Sequence, residues 1–299
     1  MRLDIAHLQG EGRRRYQQDY FALSDTSPAA LDAGVFDFVL ADGMGGALDG
    51  GLIARETVTL LCDCLAGAEE TAELSLKPSS DRVAAKIPAA DAASVNTMSE
   101  PAADAVPAPE PAADAAPARF TSAGATPEQL LAAIRSANAR IYERYHETGG
   151  TTLIVARIIN DALWFASVGD STLYLRRAGR LFELNRRHTF LLDLYERVLD
   201  GLLSVDDAQG NAQAKALSSF IGSGALRLDY SRRPLALLPG DVLLACSDGL
   251  SDTLTATQIL EATASEVPSR QAGVALRDMI EAAGLPGQDN YTAIIVRYG

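Results

Sequence analysis

The sequence predicts a layered α+β sandwich. Three observations carry this expectation. Apolar runs of strand length are joined in pairs by two-residue turns, Asn160-Asp161 and Ala178-Gly179, which implies antiparallel hairpins. Helical periodicity is confined to separate stretches, so helices and strands group apart and do not alternate as βαβ units. No Gly-x-Gly-x-x-Gly follows a strand and there is no Walker-type loop, which argues against a doubly wound nucleotide fold.

The elements follow in order. Val35–Asp42 is an apolar run that ends in Asp-Gly. The stretch 51–65 reads as a helix, with Leu52, Thr59 and Cys62 among its inward candidates. Residues 66–125 break the pattern. They hold 20 alanines and 7 of the chain's 13 prolines, no aromatic before Phe120, and a near-duplication of Glu-Pro-Ala-Ala-Asp-Ala starting at Glu100 and at Glu110. Such a stretch cannot bury enough apolar surface to offset the entropy of ordering, so it is expected to be a disordered insert. A docking or tethering role is its functional alternative. Thr126-Pro127-Glu128-Gln129 then starts a helix. Thr126 can cap, Pro127 suits the first turn and Gln129 can close a capping box. Leu130, Ile134, Ala137, Ile141 and Tyr145 follow at helical spacing, and Gly149-Gly150 ends it. The two helices bracket the insert, so they are expected to be neighbours in one domain spanning 1–299.

Thr151–Ile159 pairs with Ala162–Val168, and Leu173–Arg176 with Arg180–Leu184. Asp241–Ser247 is a further apolar run ending in Asp-Gly, and Tyr291–Tyr298 closes the chain. Amphipathic helices are expected over 190–203, 256–266 and 270–283.

Charge narrows the function classes. The chain carries 39 Asp+Glu against 26 Lys+Arg, a net charge of −13. Nucleic acid and anionic membranes are held by an excess of Lys and Arg, so neither is an expected partner. Nine acidic against four basic residues fall in 66–125, leaving −8 for the other 239 residues. No apolar run reaches the roughly 18–20 residues of a spanning helix, and the start, Met1-Arg-Leu-Asp-Ile-Ala-His, has no signal pattern. Three cysteines and three histidines are too few for a disulfide framework or a His-rich metal site. The expectation is a soluble cytoplasmic protein.

Four aspartates stand where strands stop: Asp42, Asp170, Asp248 and Asp289. Any one Asp-Gly is usually a turn. Together, beside apolar strands and with no Lys or Arg in their local motifs, they would repel one another. A hard divalent cation removes that conflict, and oxygen donors suit Mg²⁺ or Mn²⁺.

The motifs around these residues, in order, resemble the metal-dependent Ser/Thr protein phosphatases (the PPM or protein phosphatase 2C family), bacterial branch. Arg14-Arg-Tyr-Gln-Gln-Asp19 resembles its opening Arg-x-x-Asn-Glu-Asp, and Asp42-Gly-Met-Gly-Gly46 matches its Asp-Gly-Met-Gly-Gly. Asn138–Ile141 with Gly150-Thr-Thr152, Gly169-Asp-Ser171, His188-Thr189, Gly240–Leu250 and Asp289-Asn-Tyr-Thr292 follow in family order.

The resemblance implies four layers, two antiparallel sheets flanked by helices, with the metal site at one end of the sandwich. It implies two Mn²⁺ or Mg²⁺ ions, with Asp42 bridging both, Gly43 offering its carbonyl, Asp248 and Asp289 on one ion, and Asp19 among the metal residues. Asp170 resembles the ligand of a third ion. Arg14 matches the arginine that holds substrate phosphate. Arg14, Asp42 and Asp248 are therefore the implied catalytic set. The implied reaction is hydrolysis of phosphoserine or phosphothreonine by an activated water with no covalent intermediate. Implied partners are phosphorylated proteins, a Ser/Thr kinase and its substrates among them, and the family suggests a monomer.

Four positions depart from the pattern. Gln17 and Gln18 replace Asn and Glu, Thr172 replaces the Arg of Gly-Asp-Ser-Arg, and Arg187 replaces the Asp before His188. Gln17, Gln18 and Thr172 motivate the alternative of a weakened pseudophosphatase that binds phosphoproteins, whereas Arg187 reads as part of a solvated loop, with a substrate contact as its alternative. Met44 stands where some members carry a His. Residues 189–235 match the family's flap only loosely, and substrate choice is expected to reside there.

Overall fold

A computed structural model describes residues 1–44, 50–67, 117–121 and 126–299. Its first half contains β1 (Leu3–Gly10), β2 (Asp19–Ser24), α1 (Pro28–Asp32), β3 (Val35–Met44), α2 (Gly50–Leu65), β4 (Ala118–Phe120) and α3 (Pro127–Tyr145). Then come β5 (Gly150–Thr151), β6 (Leu153–Ile159), β7 (Ala162–Val168), β8 (Thr172–Arg177), β9 (Arg180–Glu183), α4 (Phe190–Leu199) and α5 (Val205–Gln209). The last part holds β10 (Asp229–Tyr230), β11 (Leu235–Ala236), β12 (Val242–Cys246), α6 (Asp248–Ser251), α7 (Ala256–Ala262), α8 (Ser269–Ala283) and β13 (Tyr291–Tyr298).

The strands form two sheets. One runs β1-β13-β12-β8-β9; the other runs β10-β7-β6-β3-β2-β4, with β11 on β7 and β5 on β3. Alternation along β3 explains the layering. Phe36, Phe38 and Leu40 face the other sheet, where they meet Leu173, Leu175, Leu243, Ile294 and Val296. Val39 and Ala41 face outward onto α2 and α3 through Ile53, Val58, Leu61, Ile134 and Ile141. On the opposite side, α7 and α8 cover β12 and β13 through Ile259, Leu276 and Ile280. The result is the four-layer α-β-β-α sandwich. Both faces of the central strands are buried, which is why they read as continuous apolar runs. Among the described residues, no helix is long and apolar enough to cross a membrane.

The helix α3 forms as its sequence dictates. Thr126 accepts from the Gln129 N–H and the Gln129 side chain reaches back, and the buried residues are Leu130, Ile134, Ala137, Ile141 and Tyr145. In α2 the phase differs from expectation. Leu52 is 49% exposed and Thr59 is also exposed, while Ile53, Ala54, Thr57, Val58, Leu61 and Cys62 are buried. The helix is apolar at so many positions that periodicity alone does not single out one face. Two helices stop early. α4 ends at Leu199, with Gly201 at φ +73°, and α7 ends at Ala262.

Five strands differ from expectation: the two-residue β10 and β11, too short to carry a pattern, and β1, β2 and β4. β1 is an edge strand with one fully buried residue, Leu8, so it lacks an apolar signature. β2 is short, but joins β3 in register from Asp19 opposite Asp42. β4 lies inside the 66–125 stretch, so the compositional boundary was drawn too late: Ala118–Phe120 pairs with β2, and in parallel, an exception to the otherwise antiparallel sheets. Most of that stretch, 68–116 and 122–125, lies outside the described residues.

One buried ion pair was not expected. Asp37 on β3 faces Arg157 on β6 in register, with Arg157 Nε and Nη2 at 2.7 and 2.8 Å from the two carboxylate oxygens. Both side chains are almost fully buried, at 0% and 1% exposure.

Candidate metal centre

The sheet topology brings five chain segments to one end of the sandwich. Asp19 opens β2 and Asp42 lies near the end of β3, directly across from it. Asp170 lies between β7 and β8, where the chain leaves one sheet for the other. Asp248 follows β12, and Asp289 precedes β13. A cleft of about 300 Å³ opens there. It is lined by Arg14, Gln18, Asp42, Gly43, Met44, Thr152, Asp170, Lys215, Leu217, Asp248, Asp289 and Asn290. Thus the structure gathers the expected site residues. Asp19 is buried behind Asp42 and does not line the cleft wall.

The backbone under the acids is held tightly. The Asp42 N–H donates to Thr152 Oγ1 at 3.0 Å, and the Asp42 carbonyl accepts from Thr151 Oγ1 and the Thr152 N–H, both at 2.8 Å. Thr152 Oγ1 in turn shares a 2.7 Å bond with Ser171 Oγ, beside Asp170. Gly43 must be glycine. A Cβ there would sit 2.2 Å from the Gly50 carbonyl oxygen where α2 starts. Ser247 Oγ donates to Asp19 Oδ2 at 2.8 Å and accepts from the Thr292 N–H at 2.9 Å, so one hydroxyl ties the two sheets beneath the cleft. The His188 Nδ1 accepts from the Gly169 N–H at 3.1 Å. Burial holds that imidazole below its ordinary range, which keeps Nδ1 an acceptor.

The electrostatics are those of an acid cluster short of cations. Burial pushes Asp19 up to about 6, against three stabilising hydrogen bonds, with Asp248 adding repulsion. Burial, then the charges of Asp19, Asp248 and Asp170, raise Asp42 well above the carboxylate range. Asp170 rises to about 7, through burial first and Asp248 second. Asp248 is raised too, by burial and then by Asp289 and Asp252. Oδ1 of Asp19 is buried without a hydrogen-bond partner. Asp289 has a cationic partner, with Arg14 Nη2 at 2.6 Å from its Oδ2. The guanidinium expected to hold phosphate thus rests on an expected metal ligand, and the aspartates are not wholly without a cation.

The donors are chemically right for a hard divalent cation. They are carboxylate oxygens with raised proton affinity and an orphaned buried oxygen behind them, with no thiolate or imidazole in the cleft wall. Among the described residues no three His, Cys, Asp or Glu side chains are arranged to grip an ion as they stand. The acids share a cleft, and the cation would have to draw them in.

Gln17 and Gln18 have separate jobs. The Gln17 amide bonds the Gly10 carbonyl and the Asp19 N–H, a purely local brace. Gln18 lines the cleft, while its N–H donates to Asn290 Oδ1 at 2.8 Å and its carbonyl accepts from the Gly43 N–H at 3.1 Å. Ser247, Thr152 and Asn290 lie inside motifs quoted from the sequence, but their bracing roles appear only in the fold, since a hydroxyl or amide does not announce its partner. Lys215 and Leu217 had no sequence signal.

A family model described as protein phosphatase 2C matches residues 11–281. The chain belongs to the protein phosphatase 2C family. Among named family members, protein phosphatase PhpP of Streptococcus pneumoniae is 29% identical over 148 residues, which is 49% of this chain and 57% of that protein. Serine/threonine protein phosphatase PstP of Mycobacterium tuberculosis is 28% identical over 176 residues, 56% of this chain and 32% of PstP. The chain therefore spans little more than half the length of the first and a third of the second. The fold is that of the S. agalactiae serine/threonine phosphatase, with a TM-score of 0.68 and 24% identity over the whole of both chains. It also matches the PstP catalytic domain in complex with two manganese ions, at TM-score 0.62 and 21% identity over 99% of this chain and 97% of that one.

Proposed function

We propose that this family member is a metal-dependent serine/threonine phosphoprotein phosphatase. The observation that carries the reading is the crowding of Asp19, Asp42, Asp170 and Asp248 at one sheet end, with their proton affinities raised and, among the described residues, no Lys or Arg bonded to any of them. Asp42 would be shared by two ions, with the Gly43 carbonyl beside it, Asp248 and Asp289 on one of them, Asp19 supporting from behind and Asp170 holding a third. When bound, Mn²⁺ or Mg²⁺ supplies the positive charge a phosphate dianion requires and lowers the pKa of water.

The chain's own residues bind and orient. Arg14, 53% exposed at the cleft, presents a guanidinium fork suited to phosphate oxygens. Moving from Asp289 to a phosphate exchanges one oxyanion for another. Thr152, whose hydroxyl is engaged by Ser171, is the sole hydroxyl residue in the described cleft wall, no Cys or His among the described residues lines it, and in this reading the aspartates are committed to the ions, which supports direct attack by water. Met44 provides no side-chain acid. The substrates are phosphorylated proteins, a Ser/Thr kinase and its targets among them.

The test is phosphate release from a phosphothreonine peptide and from p-nitrophenyl phosphate with Mn²⁺. Turnover should be metal-dependent and fall at least a hundredfold in Asp248→Ala. Turnover that ignores chelation or that substitution refutes the reading. Gln18 favours one second reading, a phosphoprotein binder with little turnover, because a neutral amide adds no negative charge beside the ions. Calorimetric binding of phosphopeptide without release, revived by Gln18→Glu, would decide for it.

A further inference from the structure

The two acids that would share one ion, Asp248 and Asp289, arrive on different segments, one after β12 and one before β13. Each carboxylate is aimed by the amide of the residue that follows it. The Gly249 N–H donates to the Asp248 carboxylate, and the Asn290 N–H donates to Asp289 Oδ1 at 2.8 Å. The pair keeps its geometry only if Gly249 and Asn290 keep theirs. The two backbones are in contact, since a Cβ on Gly249 would collide with the Asn290 carbonyl oxygen. Charge works against this closeness, because Asp289 repels Asp248.

One buried side chain joins the two segments. Gln288 is 7% exposed. Its Nε2 donates to the Gly249 carbonyl at 2.8 Å and to the Asp289 carbonyl at 3.2 Å. The Thr253 hydroxyl lies 2.7 Å from the Gly249 carbonyl and 2.9 Å from Gln288 Oε1, so its one proton serves either acceptor. The Gln288 carbonyl accepts from the Arg13 N–H at 2.8 Å, next to Arg14. Gln288 thus sits where the Asp248, Asp289 and Arg14 segments meet. It also lines a second cavity, of about 360 Å³, with Arg13, Leu285 and Tyr291, so on that side hydrogen bonds rather than packing hold the residue. The residue type suits the place. An amide donates and accepts but adds no charge. A Lys or Arg would offer the acids an internal counter-ion, and a Glu would add to their repulsion without a proton for the Gly249 carbonyl.

We propose that Gln288 is a positioning residue for the metal centre, fixing the spacing of Asp248 and Asp289 through the Gly249 and Asp289 carbonyls. The inference rests on the metal-dependent phosphatase reading above and adds a residue to that site. Holding two like charges side by side before a cation arrives is unfavourable, and a support built into the fold leaves less of that ordering to the binding step. Removing the partners that orient metal ligands typically weakens metal binding about 10- to 100-fold. Gln288 does not line the metal cleft. Its loss should therefore appear in metal affinity and not in how phosphate binds once the ions are in place.

The test titrates Mn²⁺ alone into the metal-free full chain by calorimetry. Gln288→Met keeps the length of the side chain and loses its amide, and it should weaken Mn²⁺ binding about tenfold. The Mn²⁺ concentration for half-maximal hydrolysis of p-nitrophenyl phosphate should rise by the same factor, while KM at saturating Mn²⁺ stays within about twofold of the parent value. Thr253→Val, which removes one hydrogen bond and leaves Gln288 in place, should weaken Mn²⁺ binding about threefold. The control is Ser269→Ala, which deletes a buried hydroxyl bonded to the Asp4 carbonyl at 2.8 Å, opposite the Arg297 end of β13. It should leave Mn²⁺ affinity where it was, which separates positioning from a general loss of stability. Mn²⁺ affinity unmoved by Gln288→Met, or lowered equally by Ser269→Ala, overturns the proposal. If circular dichroism shows Gln288→Met unfolded, Thr253→Val decides by the same titration. If the parent chain binds Mn²⁺ but hydrolyses neither p-nitrophenyl phosphate nor a phosphothreonine peptide, the phosphatase reading has failed, and calorimetry alone decides this one. A parent chain that takes up no Mn²⁺ overturns both.

Discussion

Chelating the divalent cation should make this protein less stable as pH rises from 5 to 8. Asp19 has an ordinary value of 3.8 and rises to about 6 in the folded chain. Between those values the folded state holds a proton the unfolded state has lost. Stability from this group is therefore full below about pH 4 and is lost as pH climbs through 6. Of the two-unit shift only the unit between pH 5 and 6 falls inside this range, so the loss from Asp19 is about 1.4 kcal/mol. For a chain of this size that is roughly 3–6 °C in Tm. Asp170, raised to about 7, extends the decline toward neutrality. The assay is differential scanning calorimetry in EDTA at pH 5, 6, 7 and 8, repeated with excess Mn²⁺. Tm should fall across the chelated series and recover with metal, most at pH 8. Asp19→Asn, which cannot ionise, should flatten the chelated slope. A chelated Tm that is level or rises over this range, or that Mn²⁺ leaves unmoved at pH 8, would refute the account of the acid cluster.

Three further outcomes are expected. Asp37→Ala removes the carboxylate that neutralises the buried Arg157 and should cost about 3–5 kcal/mol in urea denaturation, whereas Asp37→Leu with Arg157→Met should recover most of it. Arg14→Ala should raise KM for a phosphopeptide about tenfold while lowering kcat less than threefold, as steady-state kinetics would show; unchanged kinetics would remove Arg14 from the phosphate pocket. Replacing residues 68–116 with a short Gly-Ser linker should leave peptide hydrolysis within twofold, because a stretch so rich in Ala and Pro lacks the apolar residues to pack against the cleft.

Legibility from sequence depended on whether a signal was local. The α3 helix was readable to its cap and its five inward residues because cap, proline and period agree within one segment. In α2 apolar residues occupy most of the circumference, so Leu52 looked as inward as Ile53, and only packing against β3 separates them. β1 and β2 take their strand character from partners far along the chain, Tyr291–Tyr298 and Val35–Met44. β4 was hidden by the composition around it. At the site, Asp42, Asp170, Asp248 and Asp289 were visible because each stands at a strand end, and strand ends are a pattern, whereas Asp19 came only with the family resemblance. The Ser247 bridge between Asp19 and Thr292, the Arg14–Asp289 pair and the arrival of Lys215 each join segments remote in sequence, so folding alone brings them together.

The acids come from both halves of the sandwich. Asp19 and Asp42 belong to one sheet, Asp248 and Asp289 to the ends of strands in the other, and Asp170 to the crossing between them. A cation held there is a clasp across the two layers as well as a reagent. Without it, that end of the sandwich rests on neutral hydrogen bonds such as those of the Ser247 hydroxyl and of the Gln18 N–H to Asn290, and backbone amides near Asp42 and Thr292 should exchange with solvent sooner than those at the far end. Metal supply would then set the stiffness of the fold at the same spot where it permits chemistry, and a starved cell would hold a protein both idle and easier to degrade.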